Sequence, residues 1–160
     1  MKKHTVKITV NGKEHQSEID ARTLLTHFLR DHLNITSTNI GCDTSQCGAC
    51  TVLVNGESVK SCTQLAVQMD GAEITTAAND QISDIEVIKR NFHESHGLQC
   101  GYCTPGMVMS SHELLKQNSN PSDDEIRDAL HGNICRCTGY HNIIEAVKKS
   151  AAEIREGAAS

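Results

Sequence analysis

The 160-residue sequence predicts an α+β protein of two small domains, the first rich in strands and the second helical. Short segments of alternating polar and apolar residues fill the first half, and turn signals such as Asn11-Gly12 and Asn55-Gly56 separate them. The second half has apolar residues at helical spacing and Ser-x-x-Glu patterns that are typical of helix starts. Because the pattern changes at residues 77–81, we predict domains over residues 1–77 and 82–160.

The first half opens with a predicted β-hairpin. Val6, Ile8 and Val10 alternate with polar residues, and the Asn11-Gly12 turn leads into a second polar/apolar segment that ends at Ile19. The other elements predicted for this half are a helix over residues 22–31 capped by Asp20, and strands at residues 51–54, near Val59 and at residues 73–76.

The second half is predicted to be a compact helical bundle. Ser83 with Glu86, and Ser122 with Glu125, have the spacing of a capping box, in which a serine and a glutamate satisfy the first N–H groups of a helix. The four predicted helices cover residues 83–96, 105–118, 122–131 and 140–155.

An internal repeat relates two parts of this helical half. His96-Gly97 precedes Cys100 just as His131-Gly132 precedes Cys135, 35 residues later, and a Cys-Thr pair follows in each copy. Histidine suits a helix C-terminus, glycine the left-handed position after it, and threonine the N-cap of the next helix. The repeat predicts either two helix–loop–helix units that bring their cysteine pairs to a twofold axis, or two ordinary hairpins that are alike by chance.

The composition excludes some functional classes. With 15 Lys and Arg against 20 Asp and Glu, the formal charge is −5, and no basic stripe typical of a nucleic-acid binder is present. No apolar run approaches the roughly 18 residues of a transmembrane helix. Residues 1–8 lack the unbroken apolar stretch of a secretory signal, so we expect a cytoplasmic protein. Eight cysteines in that compartment indicate metal binding or redox work rather than disulfides.

Four of these cysteines form what we call the N-terminal cysteine set: Cys42, Cys47, Cys50 and Cys62. Their C-x4-C-x2-C spacing, with the fourth cysteine after eleven more residues, is typical of plant-type [2Fe–2S] ligands. Gly41 and Gly48 are expected to let the backbone curl so that N–H groups point at sulfur. A structural zinc site is less well matched, because zinc favours two C-x2-C pairs and only one is present.

The other four form the C-terminal cysteine set: Cys100, Cys103, Cys135 and Cys137. A C-x2-C pair followed by a C-x-C pair could bind zinc or an iron–sulfur cluster. Both pairs precede predicted helix starts, where the helix dipole favours an anionic centre of either kind. The local pattern therefore leaves both metals open.

No catalytic centre is predicted elsewhere. The sequence has no nucleophile–base pattern, no phosphate-binding glycine loop and no dinucleotide fingerprint. His96 and His131 are interpreted as helix-end residues rather than metal ligands. Asp123-Asp124-Glu125 is interpreted as the first turn of a helix rather than a carboxylate site.

Three segments, considered together, resemble one known family. Residues 41–50 with Cys62, residues 99–107 and residues 133–140 are similar to the small iron–sulfur subunit of the molybdenum hydroxylases. This family includes xanthine dehydrogenase, aldehyde oxidoreductase and carbon monoxide dehydrogenase. The resemblance covers nearly the whole chain, and residues 61–68 are most similar to the small subunits of carbon monoxide dehydrogenase.

The resemblance implies a fold and a site. It implies a β-grasp ferredoxin-like domain followed by a four-helix bundle with twofold pseudosymmetry, each binding a [2Fe–2S] cluster. It implies that the helical-domain cluster faces the molybdopterin cofactor of a large subunit, and that the other cluster faces the FAD of a medium subunit. Gln99 matches a family position that contacts the pterin, and Cys137 matches a ligand near it.

The function implied is electron transfer from molybdenum to FAD, within a dimer of heterotrimers whose other subunits are separate polypeptides. The complex would resemble carbon monoxide dehydrogenase. One alternative is the small subunit of an aldehyde, purine or N-heterocycle oxidoreductase. The other is a free-standing ferredoxin-like carrier or redox sensor.

Overall fold

Residues 3–158, which the computed structural model describes, form a mixed five-stranded sheet followed by a group of helices. The strands are β1 (Lys3–Val10), β2 (Lys13–Asp20), β3 (Thr51–Val54), β4 (Glu57–Lys60) and β5 (Glu73–Thr75). The helices are α1 (Leu25–His27), which continues as a π-helical turn over Phe28–His32, then α2 (Ser83–Glu94), α3 (Thr104–Gln117), α4 (Asp123–Ala129) and α5 (His141–Ala158). Two short 3-10 turns, Ser61–Thr63 and Ala66–Met69, lie between β4 and β5.

The sheet has the strand order β2-β1-β5-β3-β4. β1 and β5 are parallel, whereas the other neighbouring pairs are antiparallel. The predicted hairpin is confirmed, since Lys3 pairs with Asp20 and Val10 with Lys13. Both turn residues, Asn11 and Gly12, have positive φ, which the tight hairpin turn requires.

One face of the sheet is covered by α1 and the π-helical turn. Val6, Ile8 and Val10 are at most 1% exposed, as the alternation predicted. They form a core with Leu25 and Phe28, which are fully buried. The strand-rich half therefore has a hydrophobic core of its own.

A second core lies among α2 to α5. It contains Ile88 and Phe92 of α2 and Ile143 and Val147 of α5, all fully buried. Leu53 of β3 also belongs to this cluster. Because one strand of the sheet contributes to the helical core, the two halves are packed together by apolar contacts.

The helix predicted over residues 22–31 is wrong in its start and in its form. Asp20 is the last residue of β2 and caps nothing; the helix begins at Leu25 after an extended Leu24. Leu24 forms a β-bridge with Leu65, and the Leu25 N–H donates to the Gln64 carbonyl at 2.7 Å. These tertiary contacts keep Leu24 extended, which local helix signals cannot reveal.

One of the two predicted capping boxes is confirmed. The Ser122 hydroxyl accepts the Glu125 N–H at 3.3 Å, and Glu125 accepts the Ser122 N–H at 2.7 Å. The Ser83 box is wrong, because Ser83 is already the first helical residue and Ile82, which makes no side-chain cap, precedes it. The Ser83 hydroxyl donates to Asp84 instead, at 3.4 Å.

The predicted left-handed glycine after α2 is also wrong. His96, not Gly97, has positive φ, at 55°. The His96 N–H donates to His93 and the Gly97 N–H donates to Phe92, which is the Schellman pattern with histidine in the left-handed position. Gly97 serves packing instead, since a Cβ there would lie 3.3 Å from the carbonyl oxygens of Phe92 and Asn142.

No helix within residues 3–158 combines the length and the apolar character that crossing a membrane requires.

Candidate metal centres

The N-terminal cysteine set lies on the loop before β3 and on the turn after β4. The Cys42 sulfur accepts N–H groups from Thr44 at 3.4 Å and from Cys47 at 3.3 Å. The Cys62 sulfur accepts the Ser45 N–H at 3.4 Å, although 17 residues separate the two. The fold therefore brings the fourth cysteine onto the loop of the first three, as the spacing predicted.

The backbone of this loop is curled by repeated left-handed residues. Asp43, Ser45 and Gly48 have φ values of 58°, 60° and 72°. Gly41 has a different role, since a Cβ there would lie 2.9 Å from the Cys47 sulfur. Successive N–H groups of such a loop form a concave surface that binds anions.

The thiols of the N-terminal cysteine set perturb one another. Hydrogen bonds from Thr44 and Cys47 lower the pKa of Cys42 to about 6. Burial, with smaller contributions from the neighbouring Cys50 and Cys42, raises the pKa of Cys62 to about 11. Because thiols this close resist joint ionisation, a bound cationic metal is what would allow all of them to be thiolates. The donor set therefore fits a [2Fe–2S] cluster.

The C-terminal cysteine set joins the loops before α3 and α5. The sulfurs of Cys100 and Cys137 lie 3.6 Å apart. The pKa of Cys103 is raised to about 12. Burial is the largest cause, and the hydrogen bond with Cys135 and the charge of Cys135 act in the same direction. The four sulfurs therefore form two neighbouring pairs, each with one member from either copy of the repeat.

Thr138, predicted to be an N-cap, instead hydrogen-bonds a sulfur. Its N–H and hydroxyl donate to the Cys135 sulfur at 3.5 and 3.2 Å. Burial acts to raise the pKa of Cys135, but the hydrogen bonds from Thr138, Cys137 and Cys103 together outweigh it and the pKa is lowered. In the other copy, Thr104 is already the first residue of α3. The two predicted threonine caps are therefore both absent.

Zinc was the open alternative for the C-terminal cysteine set. A structural zinc site needs four donors that converge on one ion at about 2.3 Å for sulfur. The sulfurs of this set are instead arranged as the Cys100–Cys137 and Cys103–Cys135 pairs. Two pairs of sulfurs are the arrangement that a cluster with two irons uses.

The two cysteine sets meet at the interface between the strand-rich half and the helical half. The Ile134 N–H, next to Cys135, donates to the Cys47 carbonyl at 2.8 Å. A cavity of about 180 Å³ opens between the sets. Its lining includes Cys47 of the first set and all members of the second: Cys100, Cys103, Cys135 and Cys137.

Asn133 is a residue of this interface that sequence reasoning missed. Its buried amide donates to the Gly48 carbonyl at 3.1 Å, across 85 residues, and accepts the Ser110 hydroxyl at 2.9 Å. Tyr102 forms a second link, donating its hydroxyl to the Ile40 carbonyl at 2.7 Å. No local pattern predicts either bond, because their partners are distant in the sequence.

The C-terminal cysteine set borders an exposed surface. Cys100, Cys137 and Gln99 are exposed. Among the described residues, the exposed large apolar side chains are Tyr102, at 50%, and Ile134, at 53%. Both belong to the loops that carry the C-terminal cysteine set. His96 and His131 are exposed, and each lies two residues beyond the last residue of a helix, α2 and α4 respectively.

Comparison with known proteins agrees with these two sites. Residues 8–79 match the family described as "2Fe-2S iron-sulfur cluster binding domain", and residues 73–148 match "[2Fe-2S] binding domain". The chain is 45% identical to caffeine dehydrogenase subunit gamma of Pseudomonas sp. (strain CBB1), with 92% of this chain and 91% of that protein covered.

Two further proteins share nearly the full length. The nicotine 6-hydroxylase small subunit of Paenarthrobacter nicotinovorans is 41% identical, with 93% of this chain and 90% of that protein covered. The crystal structure of quinoline 2-oxidoreductase from Pseudomonas putida 86 has a chain with a TM-score of 0.91 and 38% identity, covering 97% of this chain and 98% of that one. The chain therefore belongs to the family of small iron–sulfur subunits of the molybdenum hydroxylases, the electron-transfer subunits of these oxidoreductases.

Proposed function

We propose that this chain relays electrons from a molybdopterin centre on a large subunit, first to the C-terminal and then to the N-terminal cysteine set, and on to FAD on a medium subunit. The observation that carries this proposal is the hydrogen bond that joins the loops of the two sets, from the Ile134 N–H to the Cys47 carbonyl at 2.8 Å. When bound, [2Fe–2S] clusters supply one-electron transfer. The chain contributes the ligands and their spacing, and it buries three of the eight, Cys50, Cys62 and Cys135.

The proposed cluster ligands are the eight cysteines. Their free thiols, the N–H groups that point at Cys42, Cys62 and Cys135, and the close sulfur pair Cys100–Cys137 support the assignment. The matched regions, residues 8–79 and 73–148, also support a division into domains over residues 1–77 and 82–160.

The finer fold is proposed to be a β-grasp domain and a four-helix bundle with twofold pseudosymmetry. The mixed sheet with α1 on one face supports the first part. For the second part, a twofold axis would exchange Cys100 with Cys135 and Cys103 with Cys137. It would then convert the Cys100–Cys137 pair into the Cys135–Cys103 pair, and both pairs are close.

The partners are proposed to be a large molybdopterin-binding subunit and a medium FAD-binding subunit, in a cytoplasmic dimer of heterotrimers. The exposed apolar side chains of Tyr102 and Ile134, beside the exposed sulfurs, suit coverage by the large subunit. The names of the relatives, caffeine, nicotine and quinoline enzymes, support an N-heterocycle substrate. The likeness of residues 61–68 to carbon monoxide dehydrogenase stays a prediction.

Metal analysis and co-purification test this function. We expect about four irons and four labile sulfides per chain after anaerobic purification from the native cell, as two [2Fe–2S] clusters require. The chain should elute with two larger proteins that carry molybdopterin and FAD. Zinc in place of half the iron would contradict the C-terminal assignment, and elution of the chain alone would favour the free-standing carrier.

Gln99 is proposed to contact the pterin of the large subunit. It is exposed and directly precedes Cys100, and an amide can both donate and accept hydrogen bonds. In the assembled complex, Gln99→Ala should leave both clusters intact and slow the reduction of the C-terminal cluster by substrate in stopped-flow measurements. Gln117→Ala, at the far end of α3, is the matched control. An unchanged rate in Gln99→Ala would contradict the assignment.

A further inference from the structure

Lys60 places a positive charge beside the N-terminal cysteine set. It is the last residue of β4, two residues before Cys62, and pairs across the sheet with Thr51, which follows Cys50. Its ammonium donates to the Thr51 hydroxyl at 2.9 Å. The register of β3 and β4 thus brings the side chain next to two segments that carry candidate ligands.

The same side chain reaches the helical half. A Cβ built on Gly132 would lie 3.4 Å from the Lys60 Nζ and 3.7 Å from its Cε. Gly132 lies two residues before Ile134, whose N–H bonds Cys47. Lys60 is therefore partly buried at the interface where the two cysteine sets meet.

This ammonium has no carboxylate partner. None of the ion pairs among the described residues includes Lys60, and its only hydrogen-bond acceptor there is the neutral Thr51 hydroxyl. Glu113, the carboxylate that faces it, accepts the Ser58 N–H at 2.8 Å. A partly buried cation without a counter-ion is costly unless another negative charge lies near.

The hydrogen bonds of this ammonium lead to the loop of the N-terminal cysteine set. The Thr51 hydroxyl that accepts the ammonium donates in turn to the Gly48 carbonyl at 2.7 Å, and Gly48 lies between Cys47 and Cys50. An anionic cluster held by these cysteines would therefore place negative charge beside Lys60.

We propose that Lys60 raises the reduction potential of the N-terminal cluster, and so favours electron arrival there from the C-terminal cluster. The inference rests on the proposed function, since it needs a cluster at this set. Reduction adds one electron and one negative charge without breaking a bond, and a nearby cation stabilises the more negative state. Net charge around the sulfurs is one of the factors that set the potentials of such clusters.

Redox titration of the full iron-loaded chain tests the proposal. The protein is reduced with dithionite in the presence of mediators, and the paramagnetic signal of each cluster is followed. Lys60→Gln removes the charge but keeps a donor for Thr51. It should lower the equilibrium constant for reduction of the N-terminal cluster about tenfold, which corresponds to about 59 mV for one electron. The potential of the C-terminal cluster should move much less.

Two variants serve as controls. Lys60→Arg keeps the charge and should have the wild-type potential. Lys149 is exposed on α5, and Lys149→Met should change the potential of neither cluster. An unchanged N-terminal potential in Lys60→Gln, an equal shift of both clusters, or the same shift in Lys149→Met would overturn the inference. A wild-type chain with no N-terminal cluster signal would overturn the proposed function, and the inference with it.

Discussion

Replacing Gly106 with alanine is expected to destabilise this protein by about 3 kcal/mol or more, because the new methyl group would overlap backbone atoms. A Cβ at Gly106 would lie 2.0 Å from the Gly48 carbonyl oxygen and 3.2 Å from the Ala49 Cα. The first turn of α3 therefore packs directly on the loop that carries Cys47 and Cys50.

The Gly48 carbonyl cannot move aside at low cost. It accepts the Thr51 N–H at 3.1 Å, the Thr51 hydroxyl at 2.7 Å and the Asn133 amide at 3.1 Å. Shifting this carbonyl to make room for a methyl group would strain these bonds, and each buried group left unsatisfied costs about 1–3 kcal/mol. The strain of Gly106→Ala would thus be transmitted to both cysteine loops.

Thermal unfolding measures this effect. For a chain of this size, a loss of about 3 kcal/mol corresponds to a fall in Tm of roughly 6–12 °C. Gly157→Ala is the matched control, because Gly157 also lies in a helix, α5, but a Cβ there has no heavy atom within 4 Å. The control should match or slightly exceed wild type in Tm. If Gly106→Ala melted within about 2 °C of wild type, the close backbone contact would be contradicted.

The second large effect is the selective loss of one cluster in each of two cysteine variants. Cys47→Ser should abolish the paramagnetic signal of the N-terminal cluster in the reduced protein, and Cys103→Ser that of the C-terminal cluster. Each variant should keep the signal of the other cluster, because the proposed ligands of the two clusters lie on separate loops. A serine hydroxyl ionises far less readily than a thiol and is a poor substitute as an iron ligand.

The two variants also test whether the contact between the two cysteine loops persists when one cluster is lost. The bond from Ile134 to Cys47 uses the backbone carbonyl, so Cys47→Ser keeps it. We therefore expect the surviving C-terminal cluster to keep its wild-type line shape and its iron content, at about half the total. Loss of both signals in a chain that is still folded, as judged by circular dichroism, would mean that the two sets share ligands.

Local features of the fold were predictable because they depend on neighbouring residues. The β1–β2 hairpin depends on alternation and on the Asn11-Gly12 turn, and the start of α4 depends on the Ser122–Glu125 box. Prediction was wrong where a distant contact competes with a local signal. The bridge from Leu24 to Leu65 delays α1, and the packing of Gly97 against α5 leaves His96 in the left-handed position.

The candidate ligands were predictable for a similar reason, since cysteine spacing is a local property. Family resemblance added what spacing could not, namely the choice of cluster over zinc at the C-terminal cysteine set. The assignment of each ligand, and of Gln99, stays a prediction until the variants described above are measured.

By itself, the sequence determined the strand and helix composition, the two groups of four cysteines and the family to which the chain belongs. Only the tertiary structure decided how these groups are placed relative to each other. The Asn133–Gly48 bond, the Gly106–Gly48 contact and the approach of Lys60 to Gly132 join residues more than 50 positions apart. Such contacts depend on the packing of the whole helical half against β3 and the loop before it, and no short sequence pattern contains that information.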